Sequence, residues 1–123
     1  MDSDRSSAHQ PLNATKQRVR KEIEEAPESV VWVTQGYTIE DYIPTEILKE
    51  AVSEVHPDAS LHWSGDHFQN PFSSGKVRGR QSPADKIAIA QEVVTKWDSI
   101  DPWPLDLRAK VKALVNMIRA AND

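Results

Sequence analysis

Apolar residues fall into five groups along this chain, and the spacing within each group differs. Leu12, Val19, Ile23 and Ala26 recur at helical spacing among Lys, Arg and Glu, which predicts an amphipathic surface helix from Leu12 to Ala26, stopped by Pro27. Val30-Val31-Trp32-Val33-Thr34 follows at once. It is β-branched and aromatic with no polar alternation, the pattern of a strand covered on both faces, and Gly36 breaks it. Pro44 at a first turn, with Ile47, Leu48, Ala51, Val52 and Val55 on one face, predicts a second helix that ends at His56-Pro57. Ser82-Pro83-Ala84-Asp85 has the form of a capped helix start, and Ile87, Ala90, Val94 and Trp97 are expected to point inward from the helix it opens. Beyond the Pro102-Trp103-Pro104 turn, Asp106 is placed to cap a last helix with Leu107, Val111, Leu114, Val115 and Ile118 as its stripe.

Residues 59–82 are rich in Gly, Ser, Asn and Pro and read as a mobile loop, in which Leu61-His62-Trp63 suits a short strand. The chain thus divides into an α/β region at 1–58, the loop at 59–82 and a helical part at 83–123, all within one domain. A buried strand cannot stand alone, because its backbone groups need neighbours. Helix followed by strand reads as the second half of a βαβ crossover whose first strand ends near Met1. The expected fold class is therefore α/β with a short parallel sheet and a helical C-terminal part. The uncovered edge at Val30–Thr34 predicts marginal stability or self-association into a homodimer.

Composition narrows the chemistry. At 123 residues the chain is one domain at most, and a net charge of −4 lacks the footprint of a small, strongly basic nucleic-acid binder. Absence of cysteine removes disulfides, thiolate metal sites and cysteine nucleophiles, and makes a reducing cytoplasm the natural compartment. Apolar runs are only a few residues long, so no membrane span is expected, and Met-Asp-Ser-Asp-Arg is not a signal peptide.

Asp2-Ser3-Asp4 reads either as a polar terminus or as two carboxylates on one side of an extended segment, able to share a divalent cation. In a βαβ unit Glu40 would join them at the same sheet edge, where three carboxylates require a neutralising cation. Lys86, in the first turn of its helix, is either a solvated lysine or a phosphate ligand at the positive end of the helix dipole. Lys76, Arg78 and Arg80 set three positive charges within five residues, either a DNA-backbone contact or a solvated loop. The scattered histidines read as structural and the four tryptophans as core.

Asp2-Ser3-Asp4-Arg5-Ser6-Ser7, Leu12-Asn13-Ala14-Thr15-Lys16-Gln17-Arg18 and Thr34-Gln35-Gly36-Tyr37-Thr38-Ile39-Glu40-Asp41-Tyr42-Ile43-Pro44 together resemble the Toprim domain of OLD-family ATP-dependent endonucleases, and the resemblance spans essentially the whole chain. It implies a partial Toprim, Rossmann-like fold and cleavage of DNA phosphodiester bonds. It also implies Mg²⁺ or Mn²⁺ held by Asp2, Asp4 and Glu40, with Lys86 assisting. Tyr37-Thr38 replaces the Arg-Glu common in that family's segment, and Asp41 stands where Asn is common. The family's Walker A loop and first-strand Glu are not in the sequence, so the resemblance is to the C-terminal portion of the nuclease domain, beginning within its metal motif. Met1 then reads as an internal methionine or the start of a natural remnant. The implied partners are DNA and the ATPase domain of a parent protein, and the isolated chain is expected to be inactive. The rival expectation is a non-catalytic adaptor that docks onto an ATPase partner.

Overall fold

In the computed structural model, which describes residues 1–73 and 75–123, the helices in chain order are α1 (Ala14–Glu24), α2 (Thr45–Val55), α3 (Lys86–Lys96) and α4 (Leu107–Asn122). A 3-10 turn at Ile39–Tyr42 precedes α2, and two short strands, β1 (Ser60–Leu61) and β2 (Val77–Arg78), separate α2 from α3. Ser74, inside the expected loop, lies outside the described residues. Among those residues no helix is long and apolar enough to cross a membrane.

The expected face of α2 forms the core. Leu48, Ala51 and Val52 are completely buried, and Ile47 and Val55 pack at the margin. Leu61 and Trp63 from the β1 side, and Ile89 and Val93 from α3, complete the cluster. Burying side chains of this size stabilises by about 1.5–3 kcal/mol each, so the α2–α3 contact dominates the fold. Pro44 occupies the N-cap position, and α2 ends with His56 N–H donating to Val52 O at 2.8 Å.

The sheet corrects the expectation of a parallel, Rossmann-like arrangement. It is a two-stranded antiparallel pair, Ser60 opposite Arg78 and Leu61 opposite Val77. Gly79, at φ +83°, ends β2 where the backbone presses on the preceding turn. A Cβ there would stand 2.1 Å from Asp58 O. Residues 30–34 form no strand, and Val30 to Val33 are half-buried rather than covered on both faces. Their neighbour is the N-terminal segment, running in the same direction, with Thr34 N donating to Met1 O at 3.1 Å. The ladder stops there because side chains take over. Ser3 N donates to the Thr34 hydroxyl at 2.8 Å, and the Ser3 hydroxyl donates to Gly36 O.

Helix α3 starts later than its sequence suggests. Asp85, not Ser82, is the cap, accepting from Ala88 N at 3.0 Å, which makes Lys86 the first helical residue. The helix is also rotated from the expected face. Ile89 and Val93 are inside, whereas Ile87 and Val94 are 75% and 78% exposed. The larger apolar residues of α3 spread over a broad arc with Ile89 and Val93 at one edge and Ile87 and Val94 at the other, so periodicity alone does not select which edge is buried. Helix α4 buries no residue, and Leu114, Val115 and Ile118 of its stripe are exposed. Asp106 occupies the N-cap position of α4 as expected, but its side chain makes no capping hydrogen bond; it accepts from the Tyr42 hydroxyl and pairs with Lys110 at 3.7 Å.

The orientation of α3 is testable by urea denaturation. Ile89→Ala is expected to lower the unfolding free energy by about 2–5 kcal/mol, and Ile87→Ala to change it by less than about 0.5 kcal/mol. The opposite ranking would place the other face inward.

Candidate functional site

Residues 34–42 gather contacts from distant parts of the chain. Thr34, Gly36, Thr38, Asp41 and Tyr42 are all buried. Gly36 is required by close approach, since a Cβ there would lie 2.7 Å from His67 O and 2.8 Å from Asp41 Cβ. Tyr37 N donates to the same His67 carbonyl at 2.7 Å. Thr38 N donates to Asp41 Oδ2 at 2.7 Å and starts the 3-10 turn that presents Glu40.

The N-terminal segment docks along this turn. Asp2 Oδ1 accepts from Ile39 N at 3.0 Å, next to Glu40, while Asp4 N donates to Tyr37 O at 3.0 Å. Asp2 and Asp4 do not act as a pair on one side of an extended segment. Asp4 adopts φ 52°, a left-handed conformation that Asp tolerates better than most residues. Its carboxylate pairs with Lys16 of α1, whose ammonium also donates to Asp2 O at 2.7 Å. Lys16 sits in the first turn of α1, just after Asn13, which caps the helix by accepting from Lys16 N at 2.9 Å. A lysine one short loop after an Asp-x-Asp is the signal that marks this partner.

Glu40 and Lys86, 46 residues apart in sequence, form an ion pair at 2.6 Å. Burial alone would raise the Glu40 carboxyl, but the Lys86 hydrogen bond, helped by backbone and Thr38 contacts, holds it below its ordinary value. The Lys86 ammonium also lies 5.4 Å from the centroid of the Phe72 ring. This pair borders a cavity of about 330 Å³, and among the described residues its only charged lining groups are Glu40 and Lys86. Its walls include Trp32, Tyr42, Phe72 and Trp97; Trp63 is buried in the core and Trp97 packs against it as expected, while Trp32 is half-buried outside that cluster. Trp32 and Tyr42 meet edge to face, centroids 5.5 Å apart. The Tyr42 hydroxyl accepts from Gln35 N at 2.9 Å and donates to Asp106.

Asp41 is 1% exposed, and its Oδ1 has no hydrogen-bond partner among the described residues. Burial is the main reason its pKa is raised to about 7, opposed by the Thr38 N–H and assisted by the nearby Glu40 charge. With a pKa of about 7 the Asp41 carboxyl carries its proton below neutrality and is divided about equally between the two states at pH 7. Nothing in the sequence around Asp41 marks it as more deeply buried than Glu40 beside it.

Of the basic residues, Arg78 is exposed, Lys76 and Arg80 are half-buried, and Lys76 O accepts from His62 N. Arg80 lines a separate cleft of about 230 Å³ with His56 and Asp58. Its Nε and Nη2 are buried without partners among the described residues. Among those residues no three His, Cys, Asp or Glu side chains stand close enough to hold a metal ion together. Comparisons with family models, curated proteins and solved structures find no match to this chain.

The buried Asp41 sets a pH dependence. Because its folded pKa lies above the unfolded value, the stability it contributes is complete below about pH 4 and is lost as pH rises toward 7. Asp41→Asn keeps an acceptor for Thr38 N without the titration. It is expected to flatten the fall in stability between pH 4 and 8 and to stabilise the chain at pH 8 by about 1–4 kcal/mol. Parallel pH profiles of the two proteins in urea unfolding would refute this.

Proposed function

We propose that Asp2, Asp4, Glu40 and Lys86 serve metal-dependent cleavage of DNA phosphodiester bonds, as the nuclease portion of a larger OLD-type protein whose ATPase lies outside this sequence. The observation that carries this proposal is the gathering of three of these residues on one turn: Asp2 on the Ile39 amide and Lys86 on Glu40. Carboxylate oxygens suit a hard divalent ion such as Mg²⁺ or Mn²⁺. Asp4 and Glu40 each hold a lysine ammonium, so a metal would exchange for a cation already bound by the same oxygens. The donor set fits in kind, and it requires Lys16 and Lys86 to move. When bound, such an ion would act as a Lewis acid and lower the pKa of its water.

The remaining work falls to the chain's own groups. Released from Glu40, Lys86 at the first residue of α3 would hold a phosphate oxygen, assisted by the positive end of an 11-residue helix. Lys76, Arg78 and Arg80 would contact the DNA backbone, where charge contributes affinity without sequence preference.

A second proposal, an adaptor docking onto an ATPase partner, is favoured by a different observation. Helix α4 buries nothing and exposes Leu114, Val115 and Ile118. Leu114→Ser with Ile118→Ser would abolish docking and leave metal binding untouched.

Calorimetric titration with Mn²⁺ tests the first proposal. Binding is expected at a dissociation constant of about 10⁻⁴–10⁻³ M, lost in Asp4→Ala and in Glu40→Ala. Unchanged affinity in both variants would overturn the metal assignment.

A further inference from the structure

The cavity beside Glu40 has the size and composition of a ligand site in its own right. At about 330 Å³ it falls at the lower end of the range for small-molecule pockets, about 300–1,000 Å³. Its walls are aromatic and aliphatic, and among the described residues its charge is confined to one ion pair.

That pair is unequal. The Glu40 side chain is only 13% exposed, whereas Lys86 is 54% exposed. The carboxylate is built into the wall by the 3-10 turn, while the lysine reaches it from the first residue of α3 and can return to water at little cost. Lys86 also shows how the site receives a cation. Its ammonium lies 2.6 Å from Glu40 Oε1 and 5.4 Å from the centre of the Phe72 ring. Carboxylate plus aromatic face is the combination that recognises an organic ammonium. An anionic ligand is disfavoured because its charge would face the fixed carboxylate and be left with only the mobile lysine.

We infer that this cavity binds a small arylalkylammonium compound, its apolar body between the aromatic walls and its ammonium on Glu40 in place of Lys86. The site goes beyond nuclease or adaptor activity, because it requires neither metal nor partner. Lys86 acts as an internal competitor, so its removal is expected to improve binding.

Phenethylammonium chloride, titrated in the presence of EDTA, provides the test. Emission from Trp32 and Trp97 in the cavity wall is one readout, and calorimetry is a second that does not depend on fluorescence. Saturable binding is expected, at least about tenfold stronger than for neutral 2-phenylethanol and stronger still than for 3-phenylpropionate. Glu40→Gln should remove the preference for the ammonium, and Lys86→Ala should tighten its binding roughly threefold to tenfold. A gain in the Lys86 variant cannot come from misfolding, so it keeps the test decisive if the Glu40 variant folds poorly. Absence of saturation, equal binding of the alcohol, preference for the carboxylate, or unchanged affinity in Lys86→Ala would each overturn the proposal. EDTA makes the outcome independent of whether Mn²⁺ binds Asp4 and Glu40.

Discussion

Leu48, Ala51 and Val52 are completely buried because Ile89 and Val93 of α3 close over one side of α2 and Leu61 and Trp63 over another. Everything else is positioned from this contact. It sets Lys86 at the end of α3 within reach of Glu40, just before α2, and so defines one border of the aromatic cavity. Outside the cluster the chain is held mainly by polar contacts to a single turn. Such contacts contribute about 0.5–1.5 kcal/mol each, less than the burial of one large apolar side chain.

The same turn concentrates the chemistry. Within residues 36–42 lie a glycine that tolerates no Cβ, a buried carboxyl with a raised pKa, a glutamate whose pKa is lowered and a tyrosine hydroxyl joined to nearby Gln35 and distant Asp106. Holding the Glu40 pKa down while the Asp41 pKa rises to about 7 separates two like groups electrostatically: Glu40 has a lysine, while Asp41 Oδ1 has no hydrogen-bond partner among the described residues. Such a division lets two adjacent carboxyls differ in role without differing in type.

Helix α2 was legible from periodicity because its apolar residues lie on one face and Pro44 and His56-Pro57 mark its ends. Helix α3 was legible as a helix but not in orientation, since Ile87, Ile89, Ala90, Val93 and Val94 spread over one broad face and only packing chooses which edge of it is buried. The run Val30–Thr34 has strand composition, yet Ser3 and Thr34 divert the hydrogen bonds that would extend a ladder. Asp2 and Glu40 were expected to lie near one another and do, though not through a parallel sheet, while the pairing of Lys86 with Glu40 follows from the placing of α3 against α2 and had no sign in the sequence. The separation of Asp4 was not legible, because it depends on one backbone angle and on Lys16. The cavity was not legible either: it arises from residues 32–107, and tryptophans in sequence look the same whether they fill a core or line a void.

Helix α4 gives the molecule a second, weaker unit of cooperativity. Sixteen residues with none buried have little more stability than an isolated helix of that length, which is marginal in water. Half-buried residues such as Val111 and Met117 and the Asp106 carboxylate on Tyr42 attach α4 at its margin, so the helix can unravel in local fluctuations that leave the α2–α3 core intact. Leu107, its first residue, forms part of the cavity wall. Fraying of this terminus therefore widens the mouth of the cavity, and ligand exchange becomes tied to the breathing of a helix rather than to unfolding of the domain.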